Sequence, residues 1–366
     1  MLSSNTLGKA FTVTCFGESH GRCVGVVIDG CPSGLRIDES DIQMEVDRRV
    51  PRDESLVSGR IEEDKVEILS GIHRGYTTGA PITALVWNRD FMPRDYEELA
   101  DKPRPGHADY PANVKFGGFS DLRGGGRWSG RMTVTLVMAG AVAKKLLNLH
   151  KVEVLAYTSK VGNVEASKVS VDEIRANTYT NPVRTADLKI VEKMVEEILN
   201  AKSRGDSVGS IVDFIALNVP VGIGEPFFDP LDGDLAKGLF TIPGVKGVEF
   251  GLGFKSSTLY GSENNDEYRI KDGRIVTLTN NSGGILGGMS NGMPITGRVA
   301  FKPPPSIARK QKTIDLKRLE NVEIAIGGRH DPCIAPKAVP VVESVISIIL
   351  VDHMLRSEII KRIIKS

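Results

Sequence analysis

Three of the six histidines stand in loops framed by glycine or aspartate: His20 in GESHG (17–21), His107 in RPGHADY (104–110) and His330 in GGRHDP (327–332). Imidazole titrates near neutral pH, so each is a candidate proton donor. His73, His150 and His353 lack such a frame and read as structural. GESHG offers a second chemistry, because it also fits the G-x-S-x-G pattern of a hydrolase nucleophile elbow, with Ser19 as nucleophile. An elbow joins a strand to a helix, whereas GESHG runs into VGVVIDG, whose β-branched residues predict another strand. The pattern recurs as GDSVG (205–209), without a histidine. The frame therefore reads as a turn used twice by the fold, and the chemistry moves from Ser19 to His20.

Arginines cluster beside glycines. DLRGGGRWSGR (121–131) places Arg123, Arg127 and Arg131 at a spacing of four around a glycine triplet, just before a predicted helix. DRRVPRDES (47–55) adds Arg48, Arg49 and Arg52, and each of the second and third histidine loops has an arginine of its own. Glycines let backbone approach a ligand, helix starts offer free N–H groups, and guanidinium forks hold phosphates or carboxylates. Solvated arginines and glycine turns would explain any one segment; four together point to a polyanion in a glycine-lined cleft. A second glycine array, NNSGGILGGMSNG (280–292), is followed by KPPPS (302–306) and reads either as a second phosphate-binding wrap or as a tight hairpin. No GxxxxGK[ST] is present, so a P-loop nucleotide site is not indicated.

The elements that must position these groups come in two sets. GESHGRCVGVVIDGCPSGL (17–35) lies without gaps on GDSVGSIVDFIALNVPVGI (205–223). KVEILSG (65–71) then resembles KGVEFGLG (246–253), TGAPITALV (78–86) resembles NGMPITGRV (291–299), and a His-Asp element follows in each half. Long apolar helices are predicted at 130–149 and about 338–356. The segment 38–49 predicts a helix with an N-cap aspartate, SVDE (170–173) a capping box, and 188–202 a surface helix with i,i+4 charge pairs. Strands without regular βα alternation argue for an α+β fold. The reading is one domain over 1–366, built of two pseudo-symmetric halves at about 8–150 and 196–356, with helices packed between antiparallel sheets.

The 366 residues carry 47 basic and 46 acidic side chains, a net charge of +1 that gives no field for nucleic acid or an anionic membrane. Cys15, Cys23, Cys31 and Cys333 show no metal-ligand spacing, and the first three read as core residues in a reducing compartment. The N-terminus lacks the basic start and apolar core of a signal peptide. AVPVVESVISIILV (338–351) carries Glu343 and reads as too short to span a bilayer. A soluble, cytoplasmic protein is expected.

FGESHG (16–21), RPGHADY (104–110), RGGGR (123–127), AGAVAKK (139–145), GDSVG (205–209), VKGVEFG (245–251), GGILGG (283–288) and GRHDPC (328–333) resemble, in order and along nearly the whole chain, the motifs of chorismate synthases. The resemblance implies a shikimate-pathway lyase that eliminates phosphate (1,4-trans) from 5-enolpyruvylshikimate 3-phosphate to give chorismate. It implies reduced FMN without net redox change, a β-α-β sandwich and a homotetramer. Carried over, His20 donates a proton to the leaving phosphate, His107 supports the anionic reduced flavin, and Asp331 helps move a proton through it; Ser19 and Ser129 join them as site residues. FMN contacts fall on Arg127, Trp128, Ser129, Pro243, Gly244 and Gly287. They continue over Lys302, Pro303, Pro304, Pro305, Ser306 and Arg329, while substrate contacts fall on Arg48, Arg49 and Arg131. The chain departs from the pattern at Trp128, where serine is usual, at Met132, where glutamate is common, and at Val50, Pro51 and Arg52, where RRRPG is frequent. Pro243-Gly244 stands for asparagine-alanine, and KPPPS for KPTSS. These changes bear on flavin contacts more than on the reaction. Members differ in whether NADPH or an external flavin reductase supplies the reduced cofactor, and no Rossmann fingerprint decides this here. A non-catalytic flavin- or polyanion-binding homologue and the serine hydrolase are the competing readings.

Overall fold

The computed structural model describes residues 4–50, 53, 56, 64–89, 101–327 and 330–365. Two five-stranded antiparallel sheets form its outer layers. The first contains β1 (Thr6–Leu7), β2 (Thr12–Gly17), β3 (Cys23–Asp29), β4 (Val66–Ser70) and β5 (Ile82–Trp87), in the order β1-β2-β3-β5-β4. The second contains β6 (Glu153–Val161), β7 (Val164–Glu165), β8 (Ser210–Leu217), β9 (Val245–Phe250) and β10 (Ile295–Phe301), in the order β7-β6-β8-β10-β9. Strands β3 and β8, each entered from a G-x-S-x-G segment, occupy the same place in the two orders. Each neighbours the strand that carries Pro-Ile-Thr, β5 or β10.

Alternation turns one face of each sheet inward. Val24, Val26 and Ile28 of β3 and Val212, Phe214 and Ala216 of β8 are buried. Between the sheets lie α1 (Glu39–Arg49), α3 (Thr133–Leu149), α6 (Leu231–Leu239) and α7 (Ala335–Arg356); α2 (Asp109–Lys115), α4 (Val171–Asn177) and α5 (Val191–Ser203) complete the helices used below. This is the expected α+β sandwich. Asp38 caps α1, accepting from the N–H groups of Ser40 and Asp41, and the Asp41 carboxylate returns a bond to the Asp38 N–H at 3.1 Å. Ser170 caps α4 in the same reciprocal way with Glu173.

Three boundaries differ from the sequence reading. Residues 130–132 form a 3₁₀ turn ahead of α3, and 188–190 another ahead of α5. Helix α7 starts three residues early, because Pro336 fits a first turn whose N–H groups have no intrahelical acceptor. At 22 residues α7 is long and apolar enough to cross a membrane, contrary to the expectation, yet it is a core helix with 94% of its apolar window buried. It crosses α3 where Gly140 meets Ser344 so closely that any Cβ at 140 would collide with the serine.

Glu343, in the middle of α7, is satisfied rather than exposed. It accepts from Lys144 of α3 (2.7 Å), the Tyr179 hydroxyl (2.9 Å) and the Ala156 N–H of β6 (3.1 Å). Lys144 also donates to Glu45 of α1 at 2.6 Å, and Glu45 accepts from Arg48 at 2.7 Å. Burial would strip the Lys144 proton, but the two carboxylates outweigh it and raise the ammonium's pKa. All four cysteines are free, and burial pushes the Cys31 thiol up to about 12.

Candidate active site

GESHG closes the β2–β3 hairpin. Ser19 has no exposed surface, and its N–H donates to the Gly126 carbonyl at 3.2 Å. An elbow nucleophile must present its hydroxyl at the surface of a strand-to-helix turn. Neither condition holds, and the hydrolase reading is discarded. His20, 6% exposed, packs its ring on Gly124, where a Cβ would overlap both Nδ1 and Cε1.

The glycine triplet explains how two distant histidines share one loop. Gly124, Gly125 and Gly126 all adopt positive φ (57°, 88° and 52°), a run that L side chains resist at each step. Gly124 lies under His20, while a Cβ on the next residue, Gly125, would come within 3.1 Å of His107 Nε2. Ser129 follows the triplet and accepts from the Arg131 N–H at 3.2 Å, capping the turn into α3.

His107 is oriented from behind. Its Nδ1 lies 2.6 Å from Asp109 Oδ1 and must donate to it, since a carboxylate only accepts. Arg104 grips the same carboxylate bidentately, Nε to Oδ2 at 2.7 Å and Nη2 to Oδ1 at 2.8 Å. Burial works against the Asp109 charge, but the Arg104 and His107 hydrogen bonds outweigh it and hold its pKa well below the usual carboxylate range. Nε2 is then the His107 atom that faces the glycine loop.

Second-half loops complete this side. Lys302, just after β10, sends its ammonium to the Gly106 carbonyl, and its own N–H donates to the Gly244 carbonyl at 2.9 Å. Arg104 Nη1 reaches Ser306 Oγ at 3.4 Å. Burial and the neighbouring Lys246 lower the Lys302 pKa, and among the described residues no carboxylate forms an ion pair with Lys302. Ser207 of GDSVG donates to the Pro304 carbonyl at 2.7 Å, and Val208 N–H to the Pro332 carbonyl at 2.9 Å. His330 lies within the electrostatic reach of Arg104 and His107; burial first, and those charges, push its pKa below the ordinary imidazole value. Its Nε2 is 2.9 Å from the Gly327 carbonyl, while Asp331 pairs with Lys337 at 2.7 Å.

The arginines divide rather than cluster. Arg49 and Arg131 converge on Asp64, a buried residue with φ of 44° that bridges the two guanidiniums. Arg49 also reaches Thr133 Oγ1 and the Gly130 carbonyl, both at 3.0 Å. Arg48 engages Glu45 and lies over the Tyr179 ring at 4.9 Å instead. Of the three arginines at spacing four, Arg123 pairs with Asp121 (2.7 Å) and Arg127 with Asn5, so only Arg131 joins Arg49 at Asp64. Helical spacing does not bring them together because the glycine triplet breaks the helix between them. Trp128 packs on Phe116, the residue that caps the C-terminus of α2, ring centroids 6.0 Å apart.

Gly287 sits at the tip of a tight hairpin between Ile285–Leu286 and Met289–Ser290, with nothing close to where a Cβ would lie. Arg329 and Arg52 lie outside the described residues. Sequence reasoning missed Asp64, which lay in an acidic run (62–64), and Asn88, which had no signal beyond its place after β5. It also missed Lys246, though that residue stood in a quoted motif.

A buried His20 and a partly buried His107 over one glycine loop, with an arginine pair and a lysine pair beside them, are side chains suited to proton transfer on a small molecule. A family model described as chorismate synthase matches residues 11–355. A chorismate synthase of Dehalococcoides mccartyi is 50% identical over 362 residues, covering 99% of this chain and 100% of the relative. One from Korarchaeum cryptofilum is 50% identical over 356 residues, covering 97% and 99%. A solved structure titled "Crystal Structure of Chorismate Synthase" superposes with a TM-score of 0.74 at 28% identity, covering 96% of this chain and 93% of that one. The chain belongs to the chorismate synthase family, and it is a lyase.

Proposed function

We propose that the chain converts 5-enolpyruvylshikimate 3-phosphate to chorismate by 1,4-trans elimination of phosphate, in the shikimate pathway, with reduced FMN as an obligatory cofactor that undergoes no net redox change. The observation that carries this reading is the glycine triplet, which packs His20 and His107 against consecutive residues of one loop. His20, nearly enclosed, donates its proton to the departing phosphate, a step that favours a donor titrating near neutral pH. Arg131 and Arg49 hold the substrate's anionic groups, in a setting where fixed charges act strongly because water is excluded.

Lys302 and Lys246, which repel each other with no carboxylate ion-paired to Lys302 among the described residues, fit an anionic cofactor such as FMN. Arg127, Trp128, Ser129, Pro243, Gly244, Gly287, Ser306, Arg329 and the proline run 303–305 are the further residues assigned to hold it. When bound, reduced FMN supplies electron density for C–O cleavage. His107, with Nδ1–H committed to Asp109, balances negative charge through Nε2. Asp331, held by Lys337, exchanges a proton at its carboxylate. Arg48 keeps a supporting place, since its guanidinium is taken up by Glu45 and Tyr179.

The chain further reads as one duplicated domain, as the matching strand orders support. Phe227 and Phe228, 90% and 97% exposed, support subunit contacts of a homotetramer. Four free thiols support a cytoplasmic location. The reduced flavin comes from NADPH-dependent activity of the chain or from an external reductase.

The test is anaerobic: purified protein, chemically reduced FMN and 5-enolpyruvylshikimate 3-phosphate, with phosphate and chorismate followed together. Equal release of both is expected, and none without reduced flavin. Tight flavin binding with no phosphate release would overturn the reading in favour of a non-catalytic homologue.

A further inference from the structure

Asn88 is 8% exposed and every polar atom of its side chain is engaged. Nδ2 donates to the carbonyls of Glu18 (3.0 Å) and Gly21 (2.9 Å), the two residues that bracket Ser19-His20. Oδ1 accepts from Arg131 Nε at 2.9 Å. The partners fix the amide orientation, since two carbonyls require the NH₂ and a guanidinium requires the oxygen. Arg131 is 6% exposed and gripped by Asp64, yet its Nη2 has no acceptor among the described residues. A buried guanidinium donor left unpaired is costly, and an anionic ligand oxygen satisfies it.

We infer that Asn88 is a positioning residue that couples anion capture at Arg131 to the placement of His20. A ligand oxygen on Nη2 fixes the guanidinium plane. The Nε–H···Oδ1 bond passes that orientation to the carboxamide, whose Nδ2 pins the turn carrying the histidine. A carboxamide alone among side chains of this size offers one acceptor and two donors in one plane. Aspartate keeps the acceptor but faces two carbonyls with lone pairs; alanine keeps neither. The inference rests on the proposed role of His20 as proton donor.

A double-mutant cycle tests it. With reduced FMN in excess, Asn88→Ala is expected to lower kcat by about 10²-fold in the native background, the scale of a misplaced catalytic group. In a His20→Ala background the same change is expected to cost less than about threefold, because it acts through the missing ring. An equal loss in both backgrounds overturns the coupling. Asn88→Asp should share the kcat loss while substrate affinity, measured calorimetrically with oxidised FMN, stays within about threefold, as Arg131 keeps its acceptor. A readout independent of turnover is the NMR titration of the His20 ring, identified by its disappearance in His20→Ala. Its midpoint should move in Asn88→Ala, and an unmoved midpoint overturns the inference even if the proposed reaction fails. Should Asn88→Ala not fold, Asn88→Ser enters the same cycle and titration with the same expected and overturning results.

Discussion

GESHG and GDSVG occupy corresponding places in the two sheets and do different work. The first closes a β-hairpin and the second leads from α5 into β8, so neither has the strand-to-helix setting of an elbow. Both dock onto a loop of the site. The Ser19 N–H holds the glycine triplet through the Gly126 carbonyl; the second turn holds the proline run through Pro304 and the His-Asp loop through Pro332. Only the first places a histidine beside its loop. The comparison teaches that G-x-S-x-G here is a clamp, to which the first copy adds a buried histidine.

The His-Asp elements diverge in the same way. His107 and Asp109 are bonded to each other, whereas His330 turns to a carbonyl and Asp331 to a lysine. Both settings lower their group's pKa, so each costs stability as pH falls, His330 near neutral pH and Asp109 only in strong acid.

Making the first turn resemble the second is the harshest test. His20→Val should lower turnover by about 10²–10⁴-fold, the usual worth of a positioned acid, with the unfolding temperature little changed; phosphate release and calorimetry check this. Full activity would erase the distinction between the turns. Gly124→Ala drives a methyl into the His20 ring at a positive φ, so about 10²-fold in kcat should go, together with measurable stability. Ser207→Ala removes a clamp rather than an acid. Losing one hydrogen bond of about 1 kcal/mol should weaken reduced-flavin affinity roughly fivefold, read by anaerobic titration, and leave kcat at saturating flavin unchanged.

The smallest effects are on stability. His330 has a folded-state pKa below its unfolded value of about 6.5, so the unfolded chain takes up the proton first and stability falls as pH drops through that value. Asp109 has a lowered pKa too, but as a carboxylate it contributes stability that is full above about pH 4 and lost as pH falls through its folded-state value. Urea midpoints across the acid range should show His330→Gln flattening the upper step and Asp109→Asn the lower one.

The hairpin strands, the capped helices and the paired order of motifs were legible because period, caps and turn residues are local signals. Helix α7 was placed but misjudged, since its early start rests on proline tolerance in a first turn and its burial on Glu343 finding Lys144. The histidines were legible from their frames, whereas the separation of Arg48 from Arg49 was not. Adjacent residues at a helix end point about 100° apart, and only the packing of α1 against α3 and Tyr179 decides which one meets Asp64. Asn88 was invisible because its role comes from three partners that are distant in sequence.

The ion chain through Glu45, Lys144 and Glu343 has a consequence for how the gene can be cut. It ties α1 and α3, from the first half, to α7 at the end of the second. A split between the halves would strand Lys144 in one fragment and Glu343 in the other, each a charge prepared for burial with its counter-charge absent. Neither fragment is expected to stand as a protein alone, although mixed together they could reassemble. The two halves thus share one interior, and neither owns its charges outright.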